Sequence, residues 1–412
     1  MSGQQGSSAC ELFAIVAFST LSMSINMSEG LLSGFIGILL QFYVLQNISQ
    51  IKQATILVAT LIMIRMSFSA IKRTNTIMPV NVGRDHFDLM RSTLITLVVI
   101  CIFMCDYKSI WNSRFDKTEN SGISLMDIGV PVFAFVNAFT KTRSHRRILT
   151  WKIIYLVALG FTRMGTIRFL KYDVSPLEYG IHLNFYFMLA IHELCHGIYR
   201  RIVDQFYLFD TVIGALVLSA YYKLTRFPFL EEYQRTTWLR QNIEGIYSIV
   251  PFFAFYLIVA DFGRYYEKRR FKGLIIYVNT AIVMLIYAYM RITAEHKQIS
   301  KKELLNLLHE TRNSLVSRRS TNVFYVLWSL VISYVSFATS YTVCRLSPHS
   351  VHLNTMVTFV SRNMLIVFLA GNIGIIVSKS TGLCPHPLAA NIIYLFSIFM
   401  LLGWIRTRII RR

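Results

Sequence analysis

Glu178, His182 and Asn184 fall within one short stretch, Glu178-Tyr-Gly-Ile-His-Leu-Asn-Phe185, at the mouth of a strongly apolar segment. A carboxylate can take a proton, an imidazole can give or accept one, and a carboxamide can do both jobs of a hydrogen bond. On a helix, His182 would share a face with Glu178, four residues before it. Polar groups at membrane depth are costly and normally persist because they bind or react with something. A second pair of carboxylates, Asp106 and Asp127, flanks a basic, aromatic loop that carries Lys108, Arg114 and Lys117. A partly buried aspartate there could draw a proton from a hydroxyl while a neighbouring ammonium steadies developing negative charge. A boundary aspartate paired with a loop cation is the plainer reading of the same spacing.

His192-Glu-Leu-Cys-His196 matches the H-E-x-x-H pattern, which on a helix sets two imidazoles on one face beside a glutamate base. Intramembrane metalloproteases that use it draw a third ligand from a later segment rich in Asp-Gly or Asn-Pro. Neither dipeptide occurs here, so no metal site is expected. Asn242 with Glu244, and Asn363 and Asn372 near the two ends of a late helix, are further polar candidates. Arg163 and Arg168 stand five positions apart in one apolar run and so not on one helix face. Caps, interhelical hydrogen bonds or snorkelling account for each of these taken alone.

The elements that must position these groups are membrane helices. Of 412 residues 54% are hydrophobic and only 15% charged, and the charges cluster between apolar runs. A soluble domain would carry about 25% charged residues. Roughly thirteen runs approach the ~20 residues that a spanning helix needs. They start with one centred on Phe18 and end with one centred on Ile398, and those at Phe18 and Phe135 are the weakest. The class is therefore all-α, a polytopic membrane protein with about thirteen spans and a single membrane domain over 1–412. The period-two pattern of a membrane barrel is absent. The first run lacks the basic flank of a signal peptide and reads as a retained helix. The basic tail from Arg406 and the loops 141–152 and 264–272 favour a cytosolic C-terminus. The basic loop 291–319 argues against this orientation, because it would face the other side. Within it, 295–310 has the leucine spacing of an amphipathic surface helix. A net charge of +21 suits anionic lipid headgroups, and no soluble domain is left to bind nucleic acid.

Five segments, in order, resemble a known family. Glu178-Tyr-Gly-Ile-His-Leu-Asn-Phe-Tyr186 is similar to the E-Y-G-V-H-W-N-F-F signature of the inositol acyltransferases of GPI-anchor biosynthesis, the PIG-W and GWT proteins. Ser124-Leu-Met-Asp-Ile-Gly-Val130, Asn242-Ile-Glu-Gly-Ile-Tyr-Ser248, Arg318-Arg-Ser-Thr-Asn-Val-Phe-Tyr-Val-Leu-Trp328 and Asn363-Met-Leu-Ile-Val-Phe-Leu-Ala-Gly-Asn372 resemble the family's other motifs. The resemblance implies transfer of a fatty acyl group, typically palmitoyl from palmitoyl-CoA, to the inositol 2-hydroxyl of glucosaminyl-phosphatidylinositol. It places the protein in the endoplasmic reticulum membrane with the family's key residues on the lumenal side, where the orientation argued from charge also puts the loops 106–127 and 171–180. It implies no cofactor beyond the acyl-CoA substrate. It makes Asp106 and Lys117 the catalytic pair and assigns the headgroup pocket to Asp127, Glu178, His182 and Asn184, with Asn242, Glu244, Asn363 and Asn372 as further substrate contacts.

The sequence departs from the family pattern where D-F-P becomes Asp106-Tyr-Lys108, which brings Lys108 into competition for the lysine role. Gly129-Val-Pro-Val-Phe133 has lost a glycine and a serine, and the signature tryptophan is Leu183. Three other readings stay in view. They are a membrane-bound O-acyltransferase with His182 as base, a zinc protease, and a transporter whose polar residues line a pathway.

Overall fold

The structure, a computed structural model, describes residues 6–24, 31–46, 82–105, 111–118, 121–141, 150–170, 177–203, 210–224, 235–268, 271–295, 315–346 and 355–381. Asp106, Lys108 and all but the first residue of the 295–310 segment lie outside them. All regular elements among the described residues are helical. In chain order they are α1 (Ala9–Ser24), α2 (Leu31–Gln46), α3 (Val82–Met104), α4 (Gly129–Phe139), α5 (Trp151–Leu170), α6 (Phe185–Val203), α7 (Asp210–Leu224), α8 (Trp238–Gln241), α9 (Ile243–Lys268), α10 (Lys272–Ala294), α11 (Val323–Leu346), α12 (Thr355–Arg362) and α13 (Met364–Thr381).

Four of these are long and apolar enough to cross a bilayer: Asp85–Met104, Ile243–Lys268, Lys272–Ala294 and Val323–Arg345. The apolar runs read from the sequence are more numerous. Some lie outside the described residues. The runs at Phe18 and Phe135 yield only the 16-residue α1 and the 11-residue α4. Others, such as α5 with Lys152, Arg163 and Arg168, carry too much charge inside their length.

Two helices organise the bundle. α3 packs against α1, α11, α12 and α13, while α9 packs against α4, α6 and α7. They meet the rest through an aromatic core in which Phe139 lies 5.1 Å from Phe337 and 5.9 Å from Phe262, centroid to centroid. Tilted ring pairs of this kind add to the area they bury. At Gly263 a Cβ would come within 2.6 Å of the Phe139 carbonyl oxygen, so α9 can approach α4 only with glycine there. The hydroxyls of Ser329 and Ser333 inside α11 donate to carbonyls four residues back, both at 2.7 Å, which satisfies them without partners from other helices.

At one end of the bundle Asp210 accepts from Arg200, from Arg264 and from the Tyr199 hydroxyl at 2.5 Å, binding α6, α7 and α9 together. α5 is the most one-sided element. It packs on α6 and leaves Ile154, Tyr155, Phe161, Met164 and Phe169 exposed on its other flank.

Candidate functional site

Three loops converge at the opposite end of the bundle. The Gly122 amide donates to Val316 O and the Ser7 amide to Ile123 O, each at 2.8 Å. The entry to α4 is thereby locked beside the entry to α11. Asp127, in the 3-10 turn that leads into α4, accepts from Thr118 Oγ1 and Ser124 Oγ through Oδ2, both at 2.8 Å. Its Oδ1 faces Arg318 Nη1 at 3.4 Å. The other arm of Arg318 lies 3.5 Å from Glu178 Oε2, and Glu178 Oε1 is bound by the Lys117 ammonium. Asp127, Arg318, Glu178 and Lys117 thus form one alternating chain of charge running from the buried Asp127 outward.

Electrostatics favour an ionised Glu178. Burial alone would push the Glu178 carboxyl up, but Arg318 and then Lys117 overcome it and bring it down to about 2. Tyr179, beside it, is buried and its phenol is pushed up by burial, so it is a neutral hydrogen-bonding group at any ordinary pH.

The segment that holds Glu178 is not helical. Residues 177–184 form turns and bends, and α6 begins only at Phe185. Glu178 and His182 therefore do not share a helix face, contrary to the four-residue spacing argument. Two features impose this. Gly180 adopts φ +96°, and a Cβ there would lie 2.4 Å from Asn242 Cα. Asn242, sixty residues on, accepts the amide N–H groups of His182 (2.8 Å) and Leu183 (3.1 Å) through its own Oδ1. A backbone pinned this way has no amides left for a helical turn.

Asn184 closes the loop by capping α6. Its Oδ1 accepts from Tyr186 N at 3.0 Å and Phe187 N at 3.3 Å, and its Nδ2 donates to Gly160 O of α5 at 3.0 Å. Glu244, in the first turn of α9, is held by Arg235 at 2.5 Å and faced by Arg319 at 3.6 Å.

Asn363 and Asn372 are not drawn into this chain. Asn363 sits at the α12–α13 junction and donates to Phe359 O at 2.9 Å. The neighbouring Ser361 bonds Asp88 at 2.5 Å, near the start of α3 and so far from the end that faces the loops. Asn372 donates to Phe368 O of its own helix at 2.7 Å.

The H-E-x-x-H match falls half-way along α6, not at its end. Glu193 is taken by Lys141 (2.7 Å) and Lys152 (2.5 Å), and Arg200 Nε donates to His196 Nε2 at 3.4 Å. The rings of His192 and His196 pack on Phe252 and Tyr256. Cations on the glutamate and beside the second imidazole suit packing, not a divalent ion, and no grouping of three metal-binding side chains occurs among the described residues.

The order of these loops along the chain is the order of the resemblance. The family model for GWT1 matches residues 1–405. The chain belongs to the GWT1 family. It is 31% identical over 186 residues to "GPI-anchored wall transfer protein 1" of Kluyveromyces lactis, covering 42% of this chain and 42% of that protein. The aligned region is thus less than two thirds of that relative's length. It is 25% identical to the Debaryomyces hansenii protein of the same name, over 81% of this chain and 74% of the relative. "Phosphatidylinositol-glycan biosynthesis class W protein" of Dictyostelium discoideum is 25% identical over 72% of this chain and 68% of its own.

In this GWT1-family chain the group that sequence reasoning missed is Arg318. It was visible as half of an Arg-Arg pair before an apolar run, but such pairs ordinarily mark the cytosolic side of a helix. Here Arg318 and Arg319 face carboxylates on Glu178, Asp127 and Glu244.

Proposed function

We propose that this protein transfers a fatty acyl group, palmitoyl in the first instance, from acyl-CoA to the inositol 2-hydroxyl of glucosaminyl-phosphatidylinositol, a step of GPI-anchor biosynthesis. The observation that carries the reading is the placement of Lys117 on Glu178, backed by Arg318 and Asp127, in the loop that follows Asp106. Asp106 takes the proton as the hydroxyl oxygen attacks the thioester carbon. Negative charge gathers on the carbonyl oxygen, and Lys117 lies near it. The C–O bond forms, the C–S bond breaks, and the proton passes to the departing thiolate. Glu178 holds the ammonium in place, while Asp127, through Arg318, holds Glu178. His182, Asn184, Asn242 and Glu244 build the wall of the headgroup pocket, and Asn363 and Asn372, on the late helix, stand apart from it.

The setting in this reading is the endoplasmic reticulum membrane. The protein has a single domain of about thirteen spans, its N-terminus and the site are lumenal, and its C-terminus is cytosolic. Membership of the GWT1 family and the names of its relatives support it.

The reading with His182 as base is weakened by Asn242, whose Nδ2 stands 3.2 Å from His182 Nδ1. If that amide donates, the ring proton sits on Nε2 and no lone pair is left to act as base. The test is expression in cells that lack inositol acylation. Wild type should restore acylated glucosaminyl-phosphatidylinositol and Asp106→Asn should not. Equal restoration by both removes Asp106 from the chemistry, and failure of a well-expressed wild type removes the reaction.

A further inference from the structure

Arg163 is a charge that the reaction scheme leaves unused. It lies in α5, and around it Phe161, Thr162, Met164, Gly165 and Thr166 are all exposed. At Gly165 nothing lies within 4 Å of where a side chain would start, so the groove beside Arg163 is open. Arg163 itself is half-buried, turned toward α6.

Its height in the bundle is set by two contacts. Asn184 Nδ2 bonds Gly160 O at 3.0 Å, and Phe161 meets Phe187 edge-on at 5.1 Å. Arg163 stands one turn beyond, level with the 177–183 loop, and its positive charge acts on Glu178, Tyr179 and Tyr186. The other cations here have carboxylates of their own: Lys117 and Arg318 on Glu178, Arg235 and Arg319 on Glu244. Among the described residues Arg163 makes no ion pair or hydrogen bond. Arg168, exposed and nearer the helix end, suits snorkelling to the interface; Arg163 faces inward.

We propose that Arg163 is a binding residue for the phosphodiester of the lipid acceptor, which enters sideways from the bilayer along the open flank of α5. This rests on the acylation reading above. A guanidinium fork matches two phosphate oxygens, and its strength rises where water is excluded. The stereochemistry of the acceptor agrees. The inositol 2-hydroxyl is on the ring carbon next to the one that bears the phosphate. A phosphate held at Arg163 therefore presents that hydroxyl toward Glu178 and Lys117, while the acyl chains stay in lipid.

The experiment uses the full chain in nanodiscs, with glucosaminyl-phosphatidylinositol and acyl-CoA varied separately. Arg163→Gln should raise KM for the lipid about tenfold or more while leaving KM for acyl-CoA within about twofold, and Arg163→Lys should fall between. An unchanged lipid KM, or a rise in the acyl-CoA KM instead, overturns the proposal. A second arm needs no turnover. In native mass spectrometry the wild type should retain phosphatidylinositol over diacylglycerol, and Arg163→Gln should lose that preference. If Arg163→Gln folds poorly, the wild-type preference and Arg163→Lys decide, and equal retention of both lipids by the wild type counts against a phosphate site. A wild type that retains phosphatidylinositol but acylates nothing removes the reaction and leaves the binding site.

Discussion

Replacing Glu178 by glutamine removes the carboxylate that Lys117 and Arg318 share. Its carboxyl is lowered from the ordinary 4.5 to about 2, and a difference of about 2.5 pK units corresponds to about 3 kcal/mol of stability at neutral pH. The two cations do not contribute equally. The Lys117 side chain is 42% exposed and screened by solvent, whereas that of Arg318 is 11% exposed, so most of the effect belongs to Arg318. Because the folded-state value is depressed, the contribution is fully present above about pH 4.5 and is lost as the pH falls toward 2. Unfolding of wild type and Glu178→Gln in detergent, followed by tryptophan fluorescence from pH 7 to pH 2, should show a gap of about 3 kcal/mol that stays level to about pH 5 and then closes. A gap that keeps its size to pH 2, or that widens on acidification, refutes the electrostatic account of the loop.

Three other outcomes follow from the geometry. Gly180→Ala forces a side chain into a positive-φ position and against Asn242, and should cost more than about 1 kcal/mol, read as a lowered melting temperature and a loop newly open to protease. Asn184→Ala uncaps α6 and cuts its tie to Gly160, and should lower stability by about 1–2 kcal/mol in the same melting assay. Glu193→Gln should destabilise the chain by leaving Lys141 and Lys152 without their shared carboxylate; elemental analysis of the wild type should show no bound zinc, and zinc that is present in the wild type and lost in His192→Ala would restore the metalloprotease reading.

Much of the site could be read from residue types, and less of it from spacing. The octapeptide at 178–185 announced itself because charged and amide groups stood beside an apolar run. Its shape did not, because helical periodicity assumes that local backbone bonds win. Here one glycine at positive φ and an asparagine sixty residues away take the amides instead. Asp127 and Lys117 were legible as charges flanking a loop, but that Lys117 reaches Glu178 is a contact across 61 positions, which no local pattern encodes. Arg318 was hidden by a rule that is right on average, that basic residues at helix ends report topology. The helical class followed from composition alone, whereas helix lengths did not, since α4 stops after 11 residues for want of apolar length on either side.

The trio at Asp210 bears on how the chain is made. Asp210 follows Arg200 by ten residues but precedes Arg264 by fifty-four. During synthesis the first arginine is therefore on hand as the aspartate reaches the membrane, and the pair can enter as a unit that carries no net charge. The second arginine arrives only when α9 has been threaded, and it then joins a pair that is already in place. Variants that lose Arg264 should accordingly be held up late, after α6 and α7 have inserted, while loss of Arg200 strands the aspartate at the translocon itself.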